Sequence, residues 1–301
     1  MTTADLSTNS QIPAPGGTAK LAGRMVARIG FGAMQLERAT VAREAAVAVL
    51  RQAVRGGVNH IDTAQFYGEC NAIIRAALAP YPGDVVLVSK VGAVRDAAGA
   101  LVPAQRPEEL RAQVEANLAS LGVERVDVVN LRRLDQRPGI VADGDQVVDI
   151  DSQLAELIAL RDAGKIGGIG LSSVSADQVR HALPAGITCV QNSHSLLSRS
   201  DEATLDLCRT RDIAWVPFFP LGSGFPGRPK VTDNPTVIAI AGELGVSPAQ
   251  VALAWLLAHY DKTLLIPGTA NPAHLTENLA AGNVRLSPES IAAIDKLAPP
   301  N

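Results

Sequence analysis

The feature that most constrains this chain is an alternation. Eight short apolar or β-branched runs are each followed by a turn and then by a segment of helical spacing. The runs fall at 28–34, 58–62, 85–90, 126–131, 166–172, 188–191, 213–217 and 263–267. Between them, 43–55 sets Ala46, Val47, Leu50 and Val54 at steps of three and four. Segment 107–121 opens on Pro107 with two glutamates and stops before Gly122, the asymmetry of helix start and stop. Further helices are predicted at 154–163, 202–210, 248–258 (behind Ser247 as N-cap) and 288–297. Such alternation over 301 residues predicts an α/β fold, a (β/α)8 TIM barrel, with a doubly wound open sheet as the rival. A β-hairpin over 18–27 is expected to plug the barrel floor, and 288–297 is an extra C-terminal helix. Residues 1–17 read as a disordered arm, leaving 18–301 as one barrel domain.

Composition narrows the function classes. Hydrophobic residues make up 47% and charged residues 19%, a globular balance. A net charge of -3 and a pI near 6.0 argue against nucleic acid as a partner. The longest apolar run, 251–258, is about half a bilayer span, so no membrane partner is expected. The N-terminus lacks the basic start and apolar stretch of a secretory signal. Cys70, Cys189 and Cys208 are isolated, which suits a reducing, cytoplasmic location and argues against a disulfide frame or a metal site. A monomer or weak homo-oligomer is expected.

In a parallel barrel, chemistry gathers at the C-terminal strand ends. Those ends are Met34, Asp62, Lys90, Arg132, Ser172, Gln191, Phe218 and Gly268. A charged residue closing an apolar strand is paired, exposed or catalytic. Asp62 and Lys90 end neighbouring strands, which lie about 5 Å apart. They can form an ion pair beneath Tyr67, five residues beyond Asp62. A phenol has an ordinary pKa of about 10. A buried ammonium beside it is expected to lower that value toward the working range, making Tyr67 a proton donor.

The string Asp62-Thr-Ala-Gln-Phe-Tyr67-Gly68, followed by a strand ending in Ser89-Lys90, resembles the aldo-keto reductase superfamily. The resemblance runs from Gly30 to Asn278. It implies a (β/α)8 barrel that reduces carbonyls with a nicotinamide cofactor, with Tyr67 as general acid, Lys90 as its partner and Asp62 as the lysine's anchor. Where the family places a fourth catalytic residue, a histidine, this chain has Arg132 within Val129-Asn-Leu-Arg132. His60 lies one layer below Asp62 and reads as a packed barrel histidine. Arginine stays charged at any working pH, so it can hold an anionic group or a developing alkoxide but cannot relay a proton. The competing reading turns Arg132 outward to pair with Asp135.

The resemblance also implies a cofactor cradle. Ser172, Ser173 and Gln191 stand where the family binds the nicotinamide carboxamide, Ser173 replacing the usual Asn. Phe218 takes the place of the aromatic that stacks on the nicotinamide, and Leu221, Gly222 and Ser223 follow in the pyrophosphate loop. Gly268, Thr269, Asn271, His274, Glu277 and Asn278 match the adenosine-phosphate segment, where Asn271 or Pro272 opens a helix whose free N–H groups face an anion. Gly268 and His274 replace a Lys and an Arg found in many relatives. Those replacements are expected to weaken selectivity for NADPH; NADPH is still expected on family grounds, with NADH possible. Met34 belongs to the same group, and Phe66, Arg95, Arg132 and Arg133 are expected at the pocket rim.

The Val-Asn-Leu-Arg variant resembles a bacterial subgroup whose better-known members reduce pyridoxal. The expected function is NADPH-dependent reduction of a small carbonyl substrate, pyridoxal or a similar aldehyde. A cofactor-binding redox sensor or partner-binding barrel is the alternative. A Schiff-base aldolase using Lys90 is a third reading.

Overall fold

The computed structural model describes residues 13–37, 42–135, 139–222 and 229–297. Ser223 of the expected cofactor loop and residues 1–12 of the expected arm lie outside them. Within that arm, Arg28 N–H donates to the Gly17 carbonyl (2.9 Å) and Ile29 N–H to the Pro15 carbonyl (3.0 Å). Backbone structure thus begins ahead of residue 18.

The expected hairpin forms. Strands β1 (Thr18–Leu21) and β2 (Arg24–Ala27) pair antiparallel from Thr18↔Ala27 to Leu21↔Arg24. Next come β3 (Phe31–Gly32), β4 (His60–Asp62) and β5 (Val86–Val91), a side hairpin β6 (Ala93–Arg95) with β7 (Leu101–Pro103), then β8 (Val126–Arg132), β9 (Ile166–Ser172), β10 (Ile187–Gln191) and β11 (Ala214–Trp215). Seven of these form one parallel sheet in the order β3-β4-β5-β8-β9-β10-β11. Segment 263–265 then bridges both edges, Trp215↔Thr263 on one side and Ile29↔Leu265 on the other. Gly30 N–H donates to the Leu265 carbonyl at 2.8 Å, and Leu265 N–H to Arg28 at 2.7 Å. The sheet curls round upon itself as a TIM-barrel-like α/β fold, not an open doubly wound sheet.

Period-two alternation separates two packing faces. Val86, Val88, Val128 and Cys189 point inward and pack with Ala19, Leu21 and Val26 of the hairpin, which stoppers the interior. Leu87, Val129, Ile169 and Val190 point outward into the layer beneath the helices. Leu50, Ile61, Ile74 and Leu131 are fully buried, each contributing about 1.5–3 kcal/mol by removal from water.

The helices are α1 (Arg43–Arg55), α2 (Cys70–Leu78), α3 (Pro107–Leu121), α4 (Ile150–Asp162), α5 (Ala176–Ala182), α6 (Glu202–Arg211), α7 (Pro235–Leu244), α8 (Pro248–His259), α9 (Pro272–Ala280) and α10 (Pro288–Asp295). Their ends follow local chemistry. At α8, Gln250 N–H donates to Ser247 Oγ and Ser247 N–H to Gln250 Oε1, a reciprocal cap. Helix α4 starts before the expected 154 because the Asp149 carboxylate accepts from Ser152 N–H at 2.8 Å. The expected strand 28–34 shrinks to β3 because Ala33–Glu37 coils into a 3-10 turn. Segments 213–217 and 263–267 shrink to two strand residues and single bridges. Among the described residues no single helix is long and apolar enough to cross a membrane. The bent pair α7–α8 passes on composition only, and α8 is a core helix with Val251 to Leu257 buried.

Candidate active site

Strand register builds the site. Asp62 at the end of β4 pairs with Val88, so Lys90 stands two residues further up β5 and reaches back over it. Lys90 Nζ donates to Asp62 Oδ1 at 2.5 Å and to the Thr63 carbonyl at 3.0 Å. A turn closed by Tyr67 N–H to the Ala64 carbonyl (3.0 Å) folds the next loop over this pair. Lys90 Nζ lies 5.0 Å from the centre of the Tyr67 ring. Phe66 meets Tyr67 edge to face at 5.2 Å. The other Asp62 oxygen accepts from Gln191 Nε2 at 2.8 Å.

Burial alone would push the Lys90 ammonium down, but the Asp62 charge and hydrogen bond more than reverse it. The amine therefore stays protonated. That state does not suit the Schiff-base reading, which needs a free amine. For Tyr67 the expectation is corrected: burial raises the phenol above its ordinary range, and the opposing charge of Lys90 offsets this only in part. The hydroxyl is held protonated in the free protein, with the Lys90 ammonium facing its ring.

Arg132 closes β8, its guanidinium 5.7 Å from the Phe66 ring centre. The outward pairing with Asp135 belongs instead to its neighbour. Arg133 Nη2 lies 2.6 Å from Asp135, and Nη1 donates to Gln153 and, at 2.9 Å, to the Val148 carbonyl. Adjacent strand residues face opposite sides, so Arg133 is a buried brace and not a rim residue. Arg95 is pinned as well, donating to the Phe66 and Gly99 carbonyls (each 2.9 Å) and to Glu37 (2.5 Å). Met34 is 39% exposed near the mouth. Beneath Asp62, His60 is buried against Gly30. Burial pushes the Cys70, Cys189 and Cys208 thiols up to about 12, which leaves them without nucleophilic character at neutral pH.

The proposed cradle residues are brought to the same end of the sheet. Ser172 and Gln191 are buried and paired in register. Gln191 Oε1 is buried with no hydrogen-bond partner among the described residues, an acceptor available to an amide N–H. Ser173 sits at φ 58, the left-handed region that asparagine tolerates best, and donates its N–H to the Gln191 carbonyl. Phe218 is tied to the Asn192 carbonyl at 2.9 Å. Gly222 (φ 83) has a different reason for its glycine: a Cβ there would lie 2.7 Å from the Pro229 carbonyl, where the loop closes on itself. Leu221 accepts from Val231 N–H in the same closure.

At the adenosine end, part of the expected set of helix N–H groups is taken. Asn271 caps α9 by accepting from Ala273 N–H at 2.9 Å, and Pro272 has none to offer. Thr269 Oγ1 accepts from Asn271 N–H at 3.0 Å. His274 and Glu277 are exposed, and Asn278 is buried. Gly268 is enclosed: a Cβ would meet the Gly32 carbonyl at 2.3 Å.

One cluster escaped sequence reasoning. His194, Glu202 and His259 place a ligand atom each within 4.8 Å of one another, a donor set that a metal could use. Trp215 Nε1–H donates to His194 Nδ1 at 3.3 Å, so His194 carries its proton on Nε2 and donates to Glu202 at 3.2 Å. A metal at Nε2 would force that proton onto Nδ1, against the indole N–H. His259 Nε2 lies 3.1 Å from the same carboxylate oxygen, its ring stacked on Trp255 at 4.5 Å. Burial would raise the Glu202 carboxyl, and the two histidines more than reverse this, holding it far below the usual carboxylate range.

A TIM-barrel-like fold with a phenol, an ammonium–carboxylate pair and an orphaned amide acceptor at its strand ends has the makings of a hydride-transfer enzyme. The chain belongs to the aldo/keto reductase family, whose model matches residues 28–299, and it is an oxidoreductase. It is 42% identical over 291 residues to pyridoxine 4-dehydrogenase of Escherichia coli, covering 93% of this chain and 98% of that one. An uncharacterized oxidoreductase of Schizosaccharomyces pombe is 33% identical over 290 residues, covering 93% and 89%. An aldo/keto reductase from Klebsiella pneumoniae, solved with NADP and acetate, superposes with a TM-score of 0.78 at 25% identity, covering 94% and 96%.

Proposed function

We propose that this chain is a closed (β/α)8 reductase that converts an aldehyde to its alcohol with NADPH, pyridoxal or a similar small aldehyde being the substrate. The family uses NADP(H), and the Escherichia coli relative carries the name of the reverse reaction. The observation that carries the reading is the Lys90 ammonium, held by Asp62 and set 5.0 Å from the Tyr67 ring. Bound NADPH supplies the hydride. Gln191 Oε1 and Ser172 would hold the nicotinamide amide, Phe218 would cover the ring, His274 would face the adenosine phosphate, and Glu277 and Asn278 would read the adenine.

Tyr67 donates its proton to the carbonyl oxygen as the carbonyl electron pair moves onto it. Lys90 steadies the resulting phenolate, and Asp62 keeps Lys90 charged and oriented. Arg132 cannot substitute as an acid, which leaves Tyr67 as the proton source. The test is reduced-cofactor oxidation with pyridoxal among simple aldehydes and ketones. Turnover with NADPH exceeding that with NADH is the expected result. A silent panel with tight cofactor binding would overturn the reductase reading in favour of a redox sensor.

A further inference from the structure

Among the described residues, the cations at the barrel's seam and strand ends are matched to acceptors, and Arg132 differs from them. Arg28 donates to the carbonyls of Leu257 (2.6 Å), Tyr260 (2.7 Å) and Thr263 (3.3 Å). Arg133 has Asp135 and Gln153, and Lys90 has Asp62 and Thr63. The Arg132 guanidinium meets the Phe66 ring, and the nearby Asp135 carboxylate is taken by Arg133 instead. Its neighbours are the Phe66 ring and the charge position of Tyr67. The side chain is half-buried, and a partly shielded guanidinium holds an arriving anion more firmly than a fully solvated one does.

Its backbone is fixed. Gln105 Nε2 donates to the Arg132 carbonyl at 2.9 Å, and Gln153 Nε2 in turn donates to Gln105 Oε1 at 2.9 Å. Burial also draws the guanidinium below its ordinary range, and Tyr67 is the one group that opposes this. The cation therefore rises from a fixed strand end, within the electrostatic reach of Tyr67.

We infer that Arg132 is the specificity-determining residue of this reductase, selecting aldehydes that carry an ionised oxygen on the ring carbon next to the carbonyl-bearing one. In such a compound the ring oxygen and the carbonyl oxygen lie side by side in one plane. A planar guanidinium can donate to both through parallel N–H groups. The pairing has a chemical consequence too. An ortho oxyanion pushes electron density into the aldehyde and slows hydride addition, and a cation on that oxygen withdraws it again. Tyr67 keeps the remaining lone pair of the carbonyl oxygen for proton transfer. The inference rests on the proposed reductase function and names its substrate class.

The test compares pyridoxal with its 3-O-methyl ether, which keeps the aldehyde and removes the anion. Binding to the NADP+-loaded protein is measured by calorimetry, and turnover is measured on the same samples. Wild type binds pyridoxal about 10- to 100-fold more tightly than the ether, the range of a charge-assisted hydrogen-bonded pair. Arg132→Gln closes that gap by weakening pyridoxal alone, and Arg132→Lys recovers part of it. Equal binding of the two by wild type, or equal losses on both in Arg132→Gln, overturns the inference. A full binding gap without reduction of either aldehyde upholds the inference and overturns the reductase reading.

Discussion

Two charge clusters, one buried and one half-buried, are built in this barrel from similar chemistry and finished differently. Around Glu202 the carboxylate is answered: two histidines converge on it and Trp215 fixes the tautomer of one of them. Around Asp62 the answering stops short. Lys90 and Gln191 satisfy the carboxylate, yet Gln191 Oε1 is left without a partner among the described residues. A closed cluster spends its polar groups on holding elements together. An open one holds groups ready for something that arrives later, which is the condition for catalysis by pre-set electrostatics. Polarity alone does not separate the two; the count of unanswered groups does.

Substitutions can break that contrast, beginning with the largest effect. Tyr67→Phe is expected to lower kcat by about 10²–10⁴-fold while leaving NADPH affinity nearly unchanged, the span of a lost general acid. Steady-state kinetics with a cofactor titration measures both, and normal turnover would remove Tyr67 as the acid. A second comparison is between histidines. His60 has no carboxylate to hold it charged, and burial pushes its pKa from 6.5 down to about 4. The unfolded chain takes up this proton as pH drops below 6.5, but the folded one does so only near 4. Stability is therefore full above the upper value and falls through that window by about 3 kcal/mol. His60→Leu should flatten the fall in urea midpoints over this range, and an unchanged slope would show that other groups govern it.

The smallest effect is expected at the closed cluster. Glu202→Gln should cost about 1–3 kcal/mol of stability, the penalty of a broken buried hydrogen-bond set, with kcat retained. Its folded carboxyl lies below the unfolded value, so the contribution is present above about pH 4.5 and fades as pH falls. A drop in kcat without a drop in stability would place Glu202 among the catalytic groups and erase the distinction between the clusters.

Much of the architecture was legible because it rests on local periodicity. The strand ends carrying Asp62, Lys90 and Arg132 are marked by apolar runs that stop at a charge, and the motif around Tyr67 carries the family resemblance. Contacts that depend on how the ring closes were not legible. Gln191 reaches Asp62 across 129 residues, and no spacing rule announces such a pair. Which of two adjacent arginines faces inward is a matter of strand parity, and the Arg132–Asp135 pairing that looked open in the sequence went to Arg133. Ammonium and phenol adjacency was readable, but the net direction of the Tyr67 shift was not, because it depends on how deeply the ring is buried. The β6–β7 hairpin has no clear sequence signal, since Asp96 and Gly99 dominate a stretch whose strands are three residues each.

The seam between Gly32 and Gly268 limits how this enzyme could be redesigned. The two backbones approach so closely that any side chain at position 268 would wedge the first and last staves apart. Retuning the choice between phosphorylated and unphosphorylated dinucleotides by installing a lysine there would trade away ring closure. In the proposed cofactor arrangement, the exposed helix end at His274 is the place to install a positive charge without touching that joint.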